Sequence, residues 1–220
     1  KGGVLENAKK GAFICDVSTI DPLASIELQK EAAKHGIDFM DTPMSGGTMG
    51  AQKGTLTFMC GGSEEHFEKA KVVLSGMGKN FFLCGGPGTG EIAKLVNNLI
   101  LGITMVGVSE GFAIGEKLGA DPKVLQKICA VSTSRSQVMD TQHPVPGVLD
   151  NPASKGYEGG FGVALIKKDL NLAIEAANGG KANSEMTAFA RDYFQHLEDK
   201  GFGTKDFSYV YQYIHKNKKI

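Results

Sequence analysis

A single helical pattern runs from Thr89 to Leu118 and divides the chain into two unlike parts. Its middle is nearly apolar, so a helix here must be covered by neighbouring elements that shield its apolar side chains from water. Lys94, Asn97 and Asn98 interrupt the apolar stretch, whereas a membrane span requires about 18 or more consecutive, predominantly apolar residues. The pattern therefore predicts a buried central helix of a globular protein and no membrane partner.

The residues before this helix alternate between short apolar runs and amphipathic segments, which is typical of a parallel or mixed sheet covered by helices. Asp21 and Pro22 predict a helix start, because aspartate is a good N-cap and proline suits the first helical position. Strands are predicted at 11–16, 37–41, 55–60 and 80–84, and helices at 21–36 and 63–75.

The residues after this helix carry helical patterns and no strand pattern. Helices are predicted at 121–131, 163–178, 184–199 and 206–216, with a loop rich in proline and glycine at 143–160. The predicted fold class is therefore α/β followed by all-α. We place the domain boundary near residue 88, which gives domains 1–88 and 89–220.

The charge balance argues against nucleic acid as a partner. The 24 Lys and Arg residues offset 24 Asp and Glu residues, so the formal net charge is zero and no global field attracts phosphate or acidic lipid.

The four cysteines form no CxxC and three lie in apolar runs, so we expect buried, reduced thiols. The five histidines offer no pair at helical spacing, so no metal site is predicted. The first ten residues are polar, and we expect no secretory signal there.

A glycine-rich segment, Asp41 to Gly54, follows directly on a predicted strand and contains Ser45, Gly46 and Gly47. Glycines allow the backbone to approach a ligand and expose successive N–H groups, which is how a loop holds a carboxylate or a phosphate. An ordinary flexible connection is the alternative interpretation.

Lys94 and Asn98 lie four residues apart, so they share one face of the long helix. A lysine on an apolar face is desolvated, which lowers its pKa toward the range useful for proton transfer. A lysine that extends to the surface near the helix start is the alternative. The preceding glycines at 86, 88 and 90 give GxGxG and not GxGxxG, and no acidic residue ends a strand about 20 residues later, so we reject this segment as a pyrophosphate loop.

A third polar group, Lys167, Lys168 and Asp169, opens a predicted helix after the glycine pair at 159–160. Taken by itself, this group is typical of a solvated helix face.

Five motifs together resemble the β-hydroxyacid dehydrogenase family: DVSTIDP (16–22), DTPMSGGTMGAQKGTL (41–56), GTGEIAKLVNN (88–98), HPVPG (143–147) and FGVALIKKDL (161–170). The resemblance implies the distal part of a Rossmann-like, NAD-binding domain at 1–88, joined by the long helix to a helical substrate and dimerisation domain at 89–220. It also implies site roles: catalysis for Lys94 with Asn98 assisting, substrate carboxylate binding for Ser45, Gly46 and Gly47, and contacts to the nicotinamide cofactor for Thr19 and Lys168.

The activity implied by the resemblance is NAD-dependent oxidation of 3-hydroxyisobutyrate to methylmalonate semialdehyde in valine breakdown, by a homodimer or homotetramer. The expected location is the mitochondrial matrix if the protein is eukaryotic, and the cytoplasm otherwise. Two alternatives remain: a reductase of the same family acting on tartronate semialdehyde or a similar short acid, and a non-catalytic helical dimerisation fragment.

The chain departs from the family pattern at its start. The family's opening βαβ unit carries the glycine fingerprint that binds the pyrophosphate, and no strand–GxGxxG–helix unit occurs in these 220 residues. We therefore expect residues 1–220 alone to bind NAD weakly and to be inactive. The preference between NAD and NADP depends on that same unit.

Overall fold

The computed structural model describes residues 2–216. The chain forms two compact units, Lys1–Asn97 (unit 1) and Asn98–Ile220 (unit 2). One helix, Thr89–Lys117, begins in unit 1 and ends in unit 2. The predicted class of α/β followed by all-α is confirmed, whereas the predicted boundary near residue 88 stays a prediction.

Unit 1 contains a five-stranded mixed sheet with helices. Strand β1 (Phe13–Asp16) pairs in parallel with β2 (Asp38–Asp41). Strand β4 (Leu56–Gly61) pairs antiparallel with β2 and β3 (Met44–Ser45) and in parallel with β5 (Gly78–Gly85). The elements in chain order are α1 Val4–Asn7, β1 Phe13–Asp16, α2 Pro22–Lys34, β2 Asp38–Asp41, β3 Met44–Ser45, α3 Gly47–Gln52, β4 Leu56–Gly61, α4 Glu64–Leu74 and β5 Gly78–Gly85.

Local capping explains where the two longer helices of the sheet region begin. The Asp21 side chain accepts a hydrogen bond from the N–H of Leu23 at the start of α2, and Ser63 accepts one from the N–H of His66 at the start of α4. Each cap satisfies a backbone donor that has no partner inside its helix. The predicted start of α2 at Asp21-Pro22 is confirmed.

The core of unit 1 lies on the faces of this sheet. One cluster packs β2 and β4 against α4 and includes Met40, Phe58 and Leu74. A smaller cluster packs Ala32 of α2 against Ile37 and Phe39. Apolar burial of this kind contributes roughly 25 cal/mol per Å², so these clusters fix the helices on the sheet and hold the strand ends in place.

Unit 2 is helical. Its elements are the second part of α5 (Thr89–Lys117), then α6 Pro122–Cys129, α7 Gln137–Asp140, a 3₁₀ turn at Pro152–Lys155, α8 Val163–Gly179, α9 Glu185–Asp199, a 3₁₀ turn at Phe207–Tyr209 and α10 Val210–His215. A main core joins α5, α8, α9 and α10 around Met105, Ile166 and Phe194. A second cluster around Phe112 and Tyr211 packs the end of α5.

Helix α5 corrects one expectation from the sequence. The sequence predicted that Lys94, Asn97 and Asn98 make this helix too polar for a membrane span. An 18-residue window of the helix nevertheless reaches a mean hydropathy of 1.6, so by length and composition alone the helix could cross a membrane. Only 39% of that window is buried, and Ile92, Ile100 and others on one face are exposed. The helix is therefore buried on one face and not all round. Core helices of soluble proteins reach the same hydropathy, so composition alone decides nothing further.

Several short elements lie in segments for which the sequence predicted no helix or strand. These are α1, β3, α3, α7 and the 3₁₀ turn at Pro152–Lys155. Each has six residues or fewer, which is too short to show a helical or strand period. The predicted helix at 206–216 is a 3₁₀ turn followed by α10, because Asp206 caps the turn through the N–H of Ser208.

Candidate active site

Thr19 lies in the loop after β1, at the carboxyl end of that strand, and is half-buried. Thr42, which follows β2, donates both its backbone N–H (2.8 Å) and its hydroxyl (3.1 Å) to the carbonyl oxygen of Asp16. These two bonds hold the carboxyl ends of β1 and β2 together. Ligands of open α/β sheets bind at the carboxyl ends of their strands, and Thr19 lies at this edge of the sheet.

Ser45, Gly46 and Gly47 lie at the junction of a short strand and a short helix. Ser45 ends β3 and pairs with Thr57 of β4, and α3 begins at Gly47. Gly46 has φ of 133° and Gly47 has φ of 59°, which are backbone conformations that side chains disfavour. A Cβ on Gly46 would come 3.0 Å from Leu56, whereas one on Gly47 would meet nothing within 4 Å. The loop therefore presents an open backbone at Gly47.

Lys94 is buried, with 9% of its surface exposed. The alternative of a lysine extended to the surface is therefore wrong for this side chain. Glu91, one helical turn earlier on α5, is fully buried, and its Oε2 accepts a hydrogen bond of 3.2 Å from the N–H of Ile20. Ile20 is the neighbour of Thr19, so Glu91 ties the Thr19 loop to the turn of α5 that precedes Lys94.

Asp41 is a second buried carboxylate, and the sequence analysis did not single it out. Its Oδ1 accepts from the N–H of Gly88 at 2.9 Å and from Nε2 of Gln29 at 2.8 Å, and its Oδ2 accepts from the N–H of Glu91 at 3.2 Å. Burial raises the pKa of the Asp41 carboxyl, and the N–H groups of the α5 start oppose that rise. Asp41 therefore caps α5 from the strand that leads into the Ser-Gly-Gly loop.

The glycines at the start of α5 are explained by the close approach of neighbouring backbone and of the Asp41 carboxylate. A Cβ on Gly90 would lie 2.3 Å from the carbonyl oxygen of Met59 and 2.7 Å from Oδ2 of Asp41, and one on Gly88 would lie 2.9 Å from the carbonyl oxygen of Pro22. The protein's own carboxylate accepts the N–H groups that a phosphate would take in a dinucleotide loop. This agrees with our rejection of the segment as a pyrophosphate loop.

Asn98 and Lys168 lie in unit 2, and Asp169 connects them. The Asn98 amide donates to Oδ2 of Asp169 at 2.5 Å, and the Lys168 ammonium lies 3.0 Å from Oδ1 of the same carboxylate. Asn98 and Asp169 are buried, while the Lys168 side chain is 46% exposed. The expectation of a purely solvated face at 167–169 is therefore wrong for Asp169, because that side chain points into the helical unit.

The remaining predicted features concern thiols and metals. All four cysteines are free; Cys60 is buried, whereas Cys15, Cys84 and Cys129 are half-buried and so less buried than expected. Burial raises the pKa of the Cys15 thiol to about 11, so it is protonated at neutral pH. Within residues 2–216, no group of three or more His, Cys, Asp or Glu side chains could hold a metal ion.

Comparison with known families covers residues 1–86 and 88–214 of this chain. Residues 1–86 match the family described as the NAD binding domain of 6-phosphogluconate dehydrogenase. Residues 88–214 match the family described as the NAD-binding domain of NADP-dependent 3-hydroxyisobutyrate dehydrogenase. The chain belongs to the 3-hydroxyisobutyrate dehydrogenase family. The resemblance read from the five motifs is thus confirmed, and the NAD-binding description of both families agrees with the predicted cofactor.

Individual members of the family support this assignment. The mitochondrial 3-hydroxyisobutyrate dehydrogenase of Bos taurus is 46% identical over 213 residues, which are 96% of this chain and 63% of the bovine protein. The probable mitochondrial 3-hydroxyisobutyrate dehydrogenase of Dictyostelium discoideum is 46% identical over 220 residues, all of this chain and 68% of that protein. The chain thus spans less than two thirds of the bovine relative's length.

A solved structure of the family has the same fold. The Mycobacterium tuberculosis 3-hydroxyisobutyrate dehydrogenase with L-serine superposes with a TM-score of 0.89 at 33% identity, over 94% of this chain and 72% of that one. The predicted Rossmann-like and helical architecture is therefore confirmed by a family member.

The structure groups the predicted site residues by unit. Thr19, the Ser-Gly-Gly loop and Lys94 belong to unit 1, where Glu91 and Asp41 connect their segments. Asn98 and Lys168 belong to unit 2, where they meet on Asp169. Lys94 and Asn98 lie one turn apart on α5, as the spacing predicted.

Proposed function

We propose that the whole protein is an NAD-dependent dehydrogenase that oxidises 3-hydroxyisobutyrate to methylmalonate semialdehyde, a reaction of valine breakdown. The observation that carries this proposal is the burial of Lys94 beside Glu91, on the helix turn that is tied to both the Thr19 loop and the strand leading to Ser45. A buried amine held at such a junction is suited to proton transfer.

The proposed chemistry removes one proton and one hydride from the primary alcohol. Lys94 takes the hydroxyl proton as the carbonyl forms, so the amine must be neutral when substrate binds. When bound, the nicotinamide cofactor accepts the hydride from the carbon atom. Asn98 orients the substrate, with its amide held by Asp169. After the reaction, the substrate is an aldehyde and the amine of Lys94 is protonated.

The proposed carboxylate site is the Ser-Gly-Gly loop. Open space lies where a Cβ of Gly47 would be, so we expect a ligand oxygen to reach the backbone N–H groups there, and the half-buried Ser45 hydroxyl adds a donor. A substrate anchored by its carboxylate on this loop has its alcohol held at a fixed distance along the carbon chain. This arrangement selects short hydroxy acids.

The residues proposed to contact NAD suit the nicotinamide end of that cofactor. Thr19 lies at the carboxyl end of β1, where open sheets bind nucleotides, and the Lys168 ammonium is oriented by Asp169. Neither contact replaces a glycine loop for the pyrophosphate. We propose domains 1–88 for cofactor binding and 89–220 for substrate binding and dimerisation, and a mitochondrial matrix location if the protein is eukaryotic, or a cytoplasmic one otherwise.

We also propose a homodimer or homotetramer. Exposed apolar side chains cluster in sequence around the end of α5 and along α6: Ile114, Leu118, Val124, Ile128 and Val131 are each at least 51% exposed. The neighbouring face of α6 packs Leu125 and Cys129 into unit 2, so the exposed face is available to a second copy.

The decisive experiment replaces Lys94 in the whole protein. Lys94→Ala should lower kcat for 3-hydroxyisobutyrate by about 10²-fold or more, because general base catalysis is lost, while the affinity for NAD stays nearly intact. Lys79→Ala, at an exposed lysine on β5, is the matched control and should leave kcat unchanged. A Lys94→Ala enzyme within threefold of the parent would remove Lys94 from the mechanism.

L-Serine is the second candidate substrate, because the M. tuberculosis relative was solved with it. It has the same 3-hydroxy acid skeleton as 3-hydroxyisobutyrate and carries an ammonium in place of the methyl group. Measuring kcat/KM for both acids and for tartronate semialdehyde in the reductive direction separates the candidates. A higher kcat/KM for serine would reassign the substrate while leaving the role of Lys94 in place.

A further inference from the structure

Asp41 is a fully buried carboxylate that joins two segments used by the proposed chemistry. It lies at the end of β2, four residues before Ser45, and it caps the first turn of α5, one turn before Lys94. We propose that Asp41 is a positioning residue that fixes Lys94 relative to the Ser-Gly-Gly loop. The proposal rests on the function proposed above.

Donors from α2 and from the start of α5 converge on this carboxylate. Gly88 and Glu91 donate backbone N–H groups that have no acceptor inside α5, and Gln29 donates its side-chain amide from α2. The first N–H groups of a helix need such an outside acceptor, and a negative charge at a helix N-terminus is favoured by the helix dipole. Asp41 therefore fixes where α5 starts and how that start is oriented.

The backbone approaches the carboxylate closely at two glycines. A Cβ on Gly61 would lie 2.4 Å from Oδ2 of Asp41, and one on Gly90 would lie 2.7 Å from the same atom. Both positions are thus filled by the carboxylate. Lys94 follows Gly90 by about one turn of a continuous helix, so any displacement of the first turn moves the Lys94 amine with it.

An amide of the same shape cannot replace this carboxylate. Asparagine has one acceptor oxygen and one NH₂ group, whereas both oxygens of Asp41 face donors. In Asp41→Asn, the NH₂ group must therefore face a backbone N–H of α5 in either orientation. The first turn of α5 would have to move away, and the Lys94 amine would lose its alignment with the substrate hydroxyl.

A double-mutant cycle in the whole protein tests this proposal. Asp41→Asn should lower kcat by about tenfold or more in the parent enzyme but by less than about twofold in the Lys94→Ala enzyme, because its effect passes through Lys94. A residue with a merely structural role would lower kcat by the same factor in both backgrounds, and that result would overturn the proposal. Asp38→Asn is the matched control: this carboxylate lies at the other end of β2, is 43% exposed and pairs with Lys69, so kcat should not change.

A milder variant keeps the test decisive if Asp41→Asn does not fold. Gln29→Met removes one donor to Oδ1 from a half-buried position and leaves both backbone bonds in place. It should lower kcat by about twofold to fivefold in the parent and leave the Lys94→Ala enzyme unaffected. Amide hydrogen exchange at Gly88 and Glu91 should be faster in this variant. Equal loss in both backgrounds would again overturn the proposal.

The two proposals fail in different ways. If Lys94→Ala leaves kcat unchanged, the proposed function fails whatever Asp41 does. If Lys94→Ala lowers kcat as expected but the two substitutions combine by simple multiplication, only the positioning role of Asp41 fails.

Discussion

His143 is the buried histidine of the unit 2 loop, and its surroundings suit the neutral ring only. It is fully buried, it stacks edge-on against Phe112 with ring centroids 4.3 Å apart, and its Nδ1 accepts from the N–H of Val145. Among the described residues, its Nε2 has no hydrogen-bond partner. Burial lowers the pKa of His143 from 6.5 to about 4. The folded protein therefore binds a proton at this ring only at acidic pH.

This pKa predicts an acid-sensitive stability. Because the folded pKa lies below the unfolded one, the contribution of His143 to stability is complete above pH 6.5 and is lost as the pH falls toward 4. At about 1.36 kcal/mol per pKa unit, the loss in the free energy of unfolding is about 3 kcal/mol. Urea unfolding from pH 7 to pH 4 measures it. His143→Leu should flatten the pH dependence in this window, whereas His35→Gln, at an exposed histidine, should not. Identical profiles for parent and His143→Leu would contradict the prediction.

Gly47 carries a prediction about substrate binding. A Cβ at Gly47 would meet nothing within 4 Å and the residue has a φ of 59°, so inside the protein the cost of a side chain is conformational. Gly47→Ala should lose about 1–2 kcal/mol of stability for the left-handed conformation and should raise KM for the hydroxy acid. Gly54→Ala is the matched control, because φ is 60° and its Cβ meets only one atom, at 4.0 Å. An equal KM in both variants would argue against a substrate loop.

At the scale of single elements, α5 combines two kinds of glycine. Gly90 has a Cβ position 2.3 Å from backbone, whereas Gly107 has nothing within 4 Å. Gly90→Ala should therefore destabilise by about 2 kcal/mol or more through overpacking. Gly107→Ala should stabilise by about 0.5–1 kcal/mol, because alanine loses less backbone entropy in a helix. Thermal unfolding of the two variants checks both signs, and a stable Gly90→Ala protein would contradict the close approach seen here.

The elements predicted from the sequence are those with a clear local signal. The Asp-Pro start of α2, the long pattern of α5 and the alternation of the sheet region all depend on neighbouring residues, and they lie where expected. Lys94 and Asn98 were predicted from their spacing, and the burial of Lys94 fits that reading. Their roles stay predictions.

The other features of the fold and of the candidate site depend on contacts between residues that are far apart in the sequence, and no local pattern predicts such contacts. Asp41 meets residues 47 and 50 positions away in the sequence, and Asp169 meets Asn98 from 71 positions away. The short β3 and α3 sit inside a glycine-rich segment whose composition is that of a loop, and pairing with β4 is what orders β3. Tertiary pairing of this kind overrides local propensity.

At the scale of the whole molecule, the proposed oligomer gives a prediction on solution mass. The Leu118→Asp/Ile128→Asp protein carries one new charge just after α5 and one on α6. These charges should reduce the mass to that of a monomer, or of a dimer if the parent is a tetramer, because a buried charge without a partner is costly at an interface. Light scattering after size-exclusion chromatography measures the mass. Val72→Asp, at a 78% exposed valine of α4 in unit 1, should leave the mass unchanged. An unaltered mass in the double variant would place the interface elsewhere.

The cap of α5 by Asp41 also bears on the order in which unit 1 folds. Its two backbone bonds close segments of 47 and 50 residues, and closing such segments costs chain entropy that only the intervening strands can offset. Contacts so distant along the chain form slowly. We therefore expect the start of α5 to become ordered after β4, α4 and β5 have assembled, and we expect the amine of Lys94 to stay in water until then.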